Sequence, residues 1–292
     1  MLKRISGKTN TIALLGSPVA HSKSPSMQNG CFEALGLDYV YIAFDVKLND
    51  LAAAVQGVRA LHIWGCNVTM PLKKAICKYL DRLTPAAEMA GAVNVIVNDE
   101  GVLTGHITDG EGFMLSLQDS GVAYINQKIT LLGAGGASTA VAIQAALEGV
   151  LAISIFNQQD EFFLSAQQTA AMLKERFKCQ VQIFDLNNSE AMRQEIASSD
   201  ILINATSVGM EGTLEQCLVP DASYFHSQLV VCDLIYVPAE TTLLKIAKAA
   251  GCKTISGLGM QLFQGVSAFE MWTGHKMPMD VARQILFHKP TT

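Results

Sequence analysis

Between Leu131 and Phe156 the chain is apolar enough to resemble a membrane span, yet Gly-rich turns, Gln144 and Glu148 break it into strand, helix and strand. A buried βαβ unit satisfies that pattern, because parallel strands covered on both faces read as near-continuous apolar runs. The same alternation fills most of the 292 residues. Thr11–Leu15, Tyr39–Phe44 and Leu61–Trp64 read as strands, with helices over Ser24–Leu35, stopped by Gly36, and over Asn49–Val58, capped by Asn49. Val93–Val97 and Val102–Thr104 flank Asn98-Asp99-Glu100-Gly101, a hairpin signal. A helix is expected near Asp109, with Glu111 in its first turn.

A second series then begins. Strands are expected at Lys128–Leu132, Leu151–Phe156, Gln180–Phe184, Asp200–Ile203 and Leu229–Leu234. Helices are expected at Gly136–Glu148, Asp160–Phe177, Ser189–Ala197, Thr241–Ala250, Gly259–Trp272 and Asp280–Phe287. This is an α/β chain of two domains, with a boundary near residue 110 where the pattern restarts. Periodicity alone lets the tail after about residue 260 pack on either domain.

Composition narrows the partners. A formal net charge of −5 argues against nucleic acid, which calls for a basic patch, but leaves anionic small molecules open. The seven cysteines are odd in number and contain no C-x-x-C pair, which fits buried thiols in a reducing cytoplasm. Polar residues directly follow Met1-Leu2-Lys3-Arg4, so no secretory leader and no membrane attachment are expected. The six histidines are scattered without H-x-x-x-H spacing, so no metal site is expected.

Lys128–Leu132 runs into Gly133-Ala134-Gly135-Gly136-Ala137-Ser138 and then a helix. Glycines let a backbone approach a pyrophosphate, and a helix N-terminus offers free N–H groups. The spacing falls short of the full G-x-G-x-x-G, and a ligand-free tight turn has the same look. The next strand ends in Asn157-Gln158-Gln159-Asp160, with no Arg or Lys up to Leu164. Asp160 would repel a 2′-phosphate and accept from a ribose diol, favouring NAD over NADP; it could equally be a helix cap.

Three polar segments stand where strands of the first half end. Gly16–Pro25 holds Ser22 and Ser24, either of which could cap the helix that Pro25 begins. Gly65–Lys73 presents Asn67 and Thr69, then Lys73 in the first turn of a short helix entered at Pro71. Its neighbour Lys74 keeps a plain solvated lysine open for Lys73. Gly105–Phe113 holds Asp109, either a cap or a carboxylate suited to share a proton with a lysine.

Taken in order, Gly16–Pro25, Asn67–Lys73, Gly91-Ala92-Val93-Asn94, Thr108-Asp109, Gly133–Ser138, Asn204–Met210, Tyr236 with Pro238, and Gly257–Gln264 closely resemble the shikimate/quinate dehydrogenase family over nearly the whole chain. Ser24–Asn29 and Asn157–Phe163 look most like its quinate/shikimate branch. The resemblance implies a substrate-binding and catalytic domain of residues 1–110 plus 260–292, and a Rossmann-like NAD(P)-binding domain over 111–259. It implies oxidation of shikimate to 3-dehydroshikimate, of quinate to 3-dehydroquinate, or both, and a homodimer. Ser22, Ser24, Asn67, Thr69, Asn94 and Gln264 would hold substrate, and Lys73 and Asp109 would be catalytic. Tyr236 and Gly259 would border nicotinamide and substrate. Gly133, Ala134, Gly135, Gly136, Ala137, Ser138, Asn157, Asp160 and Thr206 would hold the cofactor, NAD by preference or NADP. Ile107, Val95 and Val237 depart from the family's usual Asn, Thr and Asn, and Gln158 and Gln159 replace the branch's two arginines. The two glutamines strengthen the NAD preference, and Ile107 keeps a catalytically weak binding or regulatory paralogue in play; a dehydrogenase for an amino-substituted shikimate analogue is the other alternative.

Overall fold

The protein is described here by a computed structural model covering residues 5–287. The charged start Met1–Arg4 lies outside the described residues. The chain divides into two compact units, one of residues up to Thr108 with those from Gln264 onward, the other of Asp109–Phe263.

The first unit holds β1 (Asn10–Gly16), α1 (Ser24–Ala34), β2 (Tyr39–Asp45), α2 (Leu51–Ala60), β3 (Gly65–Val68), β4 (Arg82–Leu83), α3 (Pro85–Ala90), β5 (Val95–Asp99) and β6 (Val102–His106). They form a mixed sheet in the order β2-β1-β3-β5-β6-β4. β1 runs parallel to β2 and β3, whereas β5 is antiparallel to both β3 and β6. The β5–β6 hairpin turns through Glu100 at φ 49 and Gly101 at φ 92, the two positive φ values of a type I′ turn. Its core includes Leu51, Val55, Cys66, Leu72, Ile76, Val93, Ile96 and Leu103.

The second unit holds α4 (Asp109–Asp119), β7 (Lys128–Leu132), α5 (Gly136–Leu147), β8 (Ala152–Asn157), α6 (Glu161–Arg176), β9 (Gln180–Asp185), α7 (Ser189–Ala197), β10 (Ile201–Asn204), β11 (Val230–Asp233), α8 (Thr242–Ala249) and β12 (Lys253–Ile255). Its sheet, β12-β11-β10-β7-β8-β9, is parallel throughout. Counted within the unit this is the doubly wound order 3-2-1-4-5-6, which reverses direction between β7 and β10. α9 (Leu258–Thr273) begins in this unit and ends in the first, and α10 (Met279–Phe287) belongs to the first.

The structure corrects three local expectations. Leu61–Trp64 is not a strand: His62 has φ 52 and turns the chain out of α2, so pairing begins at Gly65. Gly65 is required there, because a Cβ would collide with the indole of Trp272. Asn49 does not cap α2; it lies in a single 3-10 turn, Leu48–Asp50, and Asp50 occupies the cap position. Lys73 is not in the first turn of a helix; it lies in a turn that precedes the 3-10 segment Ala75–Tyr79.

His106 closes β6, and burial pushes its imidazole below the usual histidine range. The unfolded chain therefore takes up that proton first as pH falls, and the folded state loses stability below about pH 6.5. Urea unfolding of wild type and His106→Asn between pH 5 and 7.5 checks this: the variant should show a shallower loss at the acid end.

Candidate active site

In the first unit a run of hydrogen bonds joins the polar positions picked out in the sequence. Asn67 sits in β3 with 6% exposure, unusual for a polar side chain unless both ends of its amide are occupied. They are: its Oδ1 accepts from the Tyr41 hydroxyl at 2.7 Å, and its Nδ2 donates to the Asn94 carbonyl at 3.1 Å. Asn94, also buried, accepts at Oδ1 from the Thr108 N–H at 2.8 Å and donates from Nδ2 to the Thr108 hydroxyl at 3.0 Å. That hydroxyl also donates to the Gln264 carbonyl at 3.2 Å. Losing one such buried partner costs about 1–3 kcal/mol, so the amides are held in one orientation.

Tyr41 was not picked out in the sequence, and Thr108 appeared there only within the Thr108-Asp109 landmark, with no role of its own. Tyr41 alternates with its neighbours along an apolar strand and reads there as a core aromatic. Burial, with the Cys66 thiol nearby, pushes its phenol well above the usual range, while a hydrogen bond with the Ser24 side chain acts the other way. Tyr41, Asn67, Asn94 and Thr108 thus form one connected set. Neither serine caps α1: Lys23 holds that position, and the Ser22 hydroxyl accepts from the Ser24 N–H at 3.3 Å. Thr69 packs over Gly16, where a Cβ would collide with its methyl group.

Lys73 is half-buried whereas Lys74 is exposed, which separates two residues the sequence leaves alike. The Lys73 carbonyl accepts from the Val93 N–H at 2.9 Å, pinning this turn to the entry of β5. Ile107 packs against the apolar core of the first unit. It is therefore a packing residue here.

In the second unit Asp109 opens α4 and is 9% exposed. Gly110 beside it lets α4 lie directly on α5, since a Cβ would run into the Ala140 carbonyl. Gly259 plays the same part where α9 meets Ser116 of α4. Tyr236 is exposed at 43%, beyond the end of β11.

The glycine turn leaves β7 at Gly133, with φ +97. A Cβ there would stand 2.8 Å from Thr206 Cγ2 and 3.1 Å from the Ala205 carbonyl. Gly135 and Gly136, at the start of α5, face open space within 4 Å. A glycine bend, an uncrowded helix N-terminus and the switch point of a doubly wound sheet together fit the diphosphate of a dinucleotide. Two members of the turn are occupied internally. The Ala134 N–H donates to Asn157 Oδ1 at 3.0 Å, and the Ser138 hydroxyl donates to the Gly133 carbonyl at 2.6 Å. The first bond ties the turn to the end of β8. Ala137 follows in the first turn of α5.

Asp160 is the cap of α6, accepting at Oδ1 from the N–H groups of Phe162 and Phe163 and from Asn157 Nδ2 at 2.8 Å. Beside it, Gln159 Nε2 donates to Asp185 Oδ2 at 2.7 Å at the end of β9. Two carboxylates therefore stand at the adjacent ends of β8 and β9. Among the described residues no three His, Cys, Asp or Glu side chains group as a metal site, and no helix is long and apolar enough to cross a membrane.

A parallel sheet with a glycine-turn helix at its switch point, joined to a mixed α/β unit with a buried polar cluster, defines a two-domain dinucleotide-dependent oxidoreductase. The chain belongs to the shikimate dehydrogenase family. The profile of the shikimate dehydrogenase substrate binding domain matches residues 14–96, and that of the shikimate 5′-dehydrogenase C-terminal domain matches residues 257–287. The shikimate dehydrogenase (NADP(+)) of Listeria monocytogenes is 50% identical over 285 residues, 98% of each chain. A crystal structure of shikimate 5-dehydrogenase from Listeria monocytogenes in complex with shikimate and NAD has a TM-score of 0.96 and 50% identity, covering 98% of this chain and 99% of that one. Quinate dehydrogenase from Corynebacterium glutamicum in complex with NAD has a TM-score of 0.86 at 29% identity, covering 96% and 99%.

Proposed function

We propose that this protein interconverts shikimate and 3-dehydroshikimate with NAD(P), with shikimate favoured over quinate and NAD favoured over NADP. The observation that carries the substrate reading is the connected set Tyr41, Asn67, Asn94 and Thr108, which fixes hydroxyl and amide groups in a family whose 50%-identical relative bears the shikimate dehydrogenase name. Residues 1–110 plus 260–292 serve as the substrate-binding and catalytic part. Ser22, Ser24, Asn67, Thr69, Asn94 and Gln264 hold the carboxylate and hydroxyls, and Tyr236 borders them. Residues 111–259 hold the dinucleotide, through the turn Gly133–Ser138, Asn157, Asp160, Thr206 and Gly259.

Lys73 takes the proton of the reacting hydroxyl in oxidation and returns it in reduction. Asp109 is its partner in that proton transfer. When bound, the nicotinamide supplies the hydride acceptor. The NAD preference rests on Asp160 and Asp185 at the strand ends where a 2′-phosphate would need cations. Seven free thiols suit a reducing cytoplasm, and the working form is a homodimer.

Steady-state kinetics with shikimate and quinate, each with NAD and NADP, test the reading. Shikimate with NAD should give the highest kcat/KM, by about tenfold or more over the NADP reaction, or at least 1.4 kcal/mol. A higher value with NADP would overturn the cofactor preference, and a higher value with quinate the substrate preference. Ligand binding without turnover in all four combinations would favour the regulatory paralogue.

A further inference from the structure

Asp233 ends β11 with 1% of its surface exposed, and neither substrate nor cofactor binding has called on it so far. A buried carboxylate demands donors, and this one has them on three sides. Its Oδ1 accepts from the Ile235 N–H at 3.0 Å and from Asn204 Nδ2 at 3.1 Å. Its Oδ2 accepts from the Thr241 hydroxyl at 2.7 Å and from Asn204 Nδ2 at 3.2 Å. Burial pushes the carboxyl above its ordinary range, and the three donors act the other way.

The carboxylate also decides which way Asn204 faces. With Nδ2 committed to Asp233 and to the Val208 carbonyl at 3.2 Å, the amide oxygen must point to Thr206. It accepts there from the Thr206 N–H at 3.1 Å and from the Thr206 hydroxyl at 2.7 Å. The Thr206 hydroxyl in turn accepts from the Val208 N–H at 3.1 Å. Thr206 is the residue whose methyl group crowds Gly133. β7, β10 and β11 are neighbours in the sheet, so a single side chain sets the loops that follow all three.

We propose that Asp233 is a positioning residue for the dinucleotide. It holds the Thr206 loop against the glycine turn and fixes the start of the loop that carries Tyr236, without touching the ligand. This rests on reading these strand ends as the dinucleotide site.

Calorimetric titration of NAD and, separately, of shikimate into the full chain tests the proposal. Asp233→Asn keeps the shape but removes the charge and one acceptor. Thr241→Val removes the hydroxyl donor, and Thr241→Ser restores it. Asp233→Asn and Thr241→Val should each weaken NAD binding by about tenfold or more, with shikimate affinity within about twofold of wild type and Thr241→Ser close to wild type. Wild-type NAD affinity in folded Asp233→Asn would overturn the proposal; should that variant not fold, wild-type affinity in Thr241→Val would do so. Equal losses for NAD and shikimate would also overturn it, since they would mark general destabilisation. Failure of wild type to bind NAD would instead overturn the dinucleotide reading on which it rests.

Discussion

Lys73→Ala should lower kcat for shikimate oxidation by about 10³-fold while KM for shikimate changes by less than about threefold, the pattern of an interaction made in the transition state. The substitution spares what the backbone does at this position. The Lys73 carbonyl still accepts from the Val93 N–H at 2.9 Å, so the turn between β3 and the Ala75–Tyr79 segment stays in place. Lys74→Ala is the internal control. Its side chain is exposed, and its removal should leave kcat within about twofold, the usual result for a surface substitution. A Lys73→Ala variant that raises KM and keeps kcat would make this residue a binding group. Asp109→Asn should show the same asymmetry more weakly if it serves as the proposed partner of Lys73 in proton transfer.

Gly133→Ala should lower kcat/KM for the dinucleotide by about 10²-fold, the scale of a misplacement of about 1 Å in a positioned ligand. Two costs combine. The residue has φ +97, a region where a side chain is strained by about 1–3 kcal/mol. The new methyl would also sit 2.8 Å from Thr206 Cγ2 and 3.1 Å from a backbone carbonyl that cannot yield. The turn must shift, and with it the Ala134 N–H bond to Asn157 that ties the glycine turn to β8. Shikimate affinity, which the proposed function assigns to the other unit, should stay within about twofold. Dinucleotide kinetics and shikimate calorimetry on the same preparation separate this outcome from plain unfolding.

The parallel unit was the most legible part of the sequence. Its strands are buried on both faces, so β7, β8, β10 and β11 read as uninterrupted apolar runs, and helix caps such as Asp160 marked the starts between them. β12 was missed because three residues, Lys253–Ile255, carry no period. The two-residue β4 was missed for the same reason, and α3 because its six residues are too short to show a stripe.

The error at β3 is more instructive. Gly-Cys-Asn-Val looks less like a strand than Leu-His-Ile-Trp before it. What buries it is non-local: Trp272 over Gly65, and Tyr41 and Asn94 around Asn67. The site residues were visible as polar positions at strand ends, and the family resemblance assigned their roles. Their connections were not visible, because Tyr41 and Asp233 sit inside apolar runs where a single polar group reads as filler. Ile107 stood out as a departure beside Asp109, and its packing against the core accounts for it in structural terms.

The proposed reaction is oxidation of a ring hydroxyl of shikimate to a ketone at the expense of a dinucleotide. Its most direct test is product analysis by carbon NMR on ring-labelled shikimate incubated with NAD or NADP. One labelled carbinol carbon should move to a ketone shift, in step with one reduced dinucleotide formed per ketone, and Lys73→Ala should show neither change over the same time. Unchanged shikimate, or a product formed without reduced dinucleotide, would contradict the account.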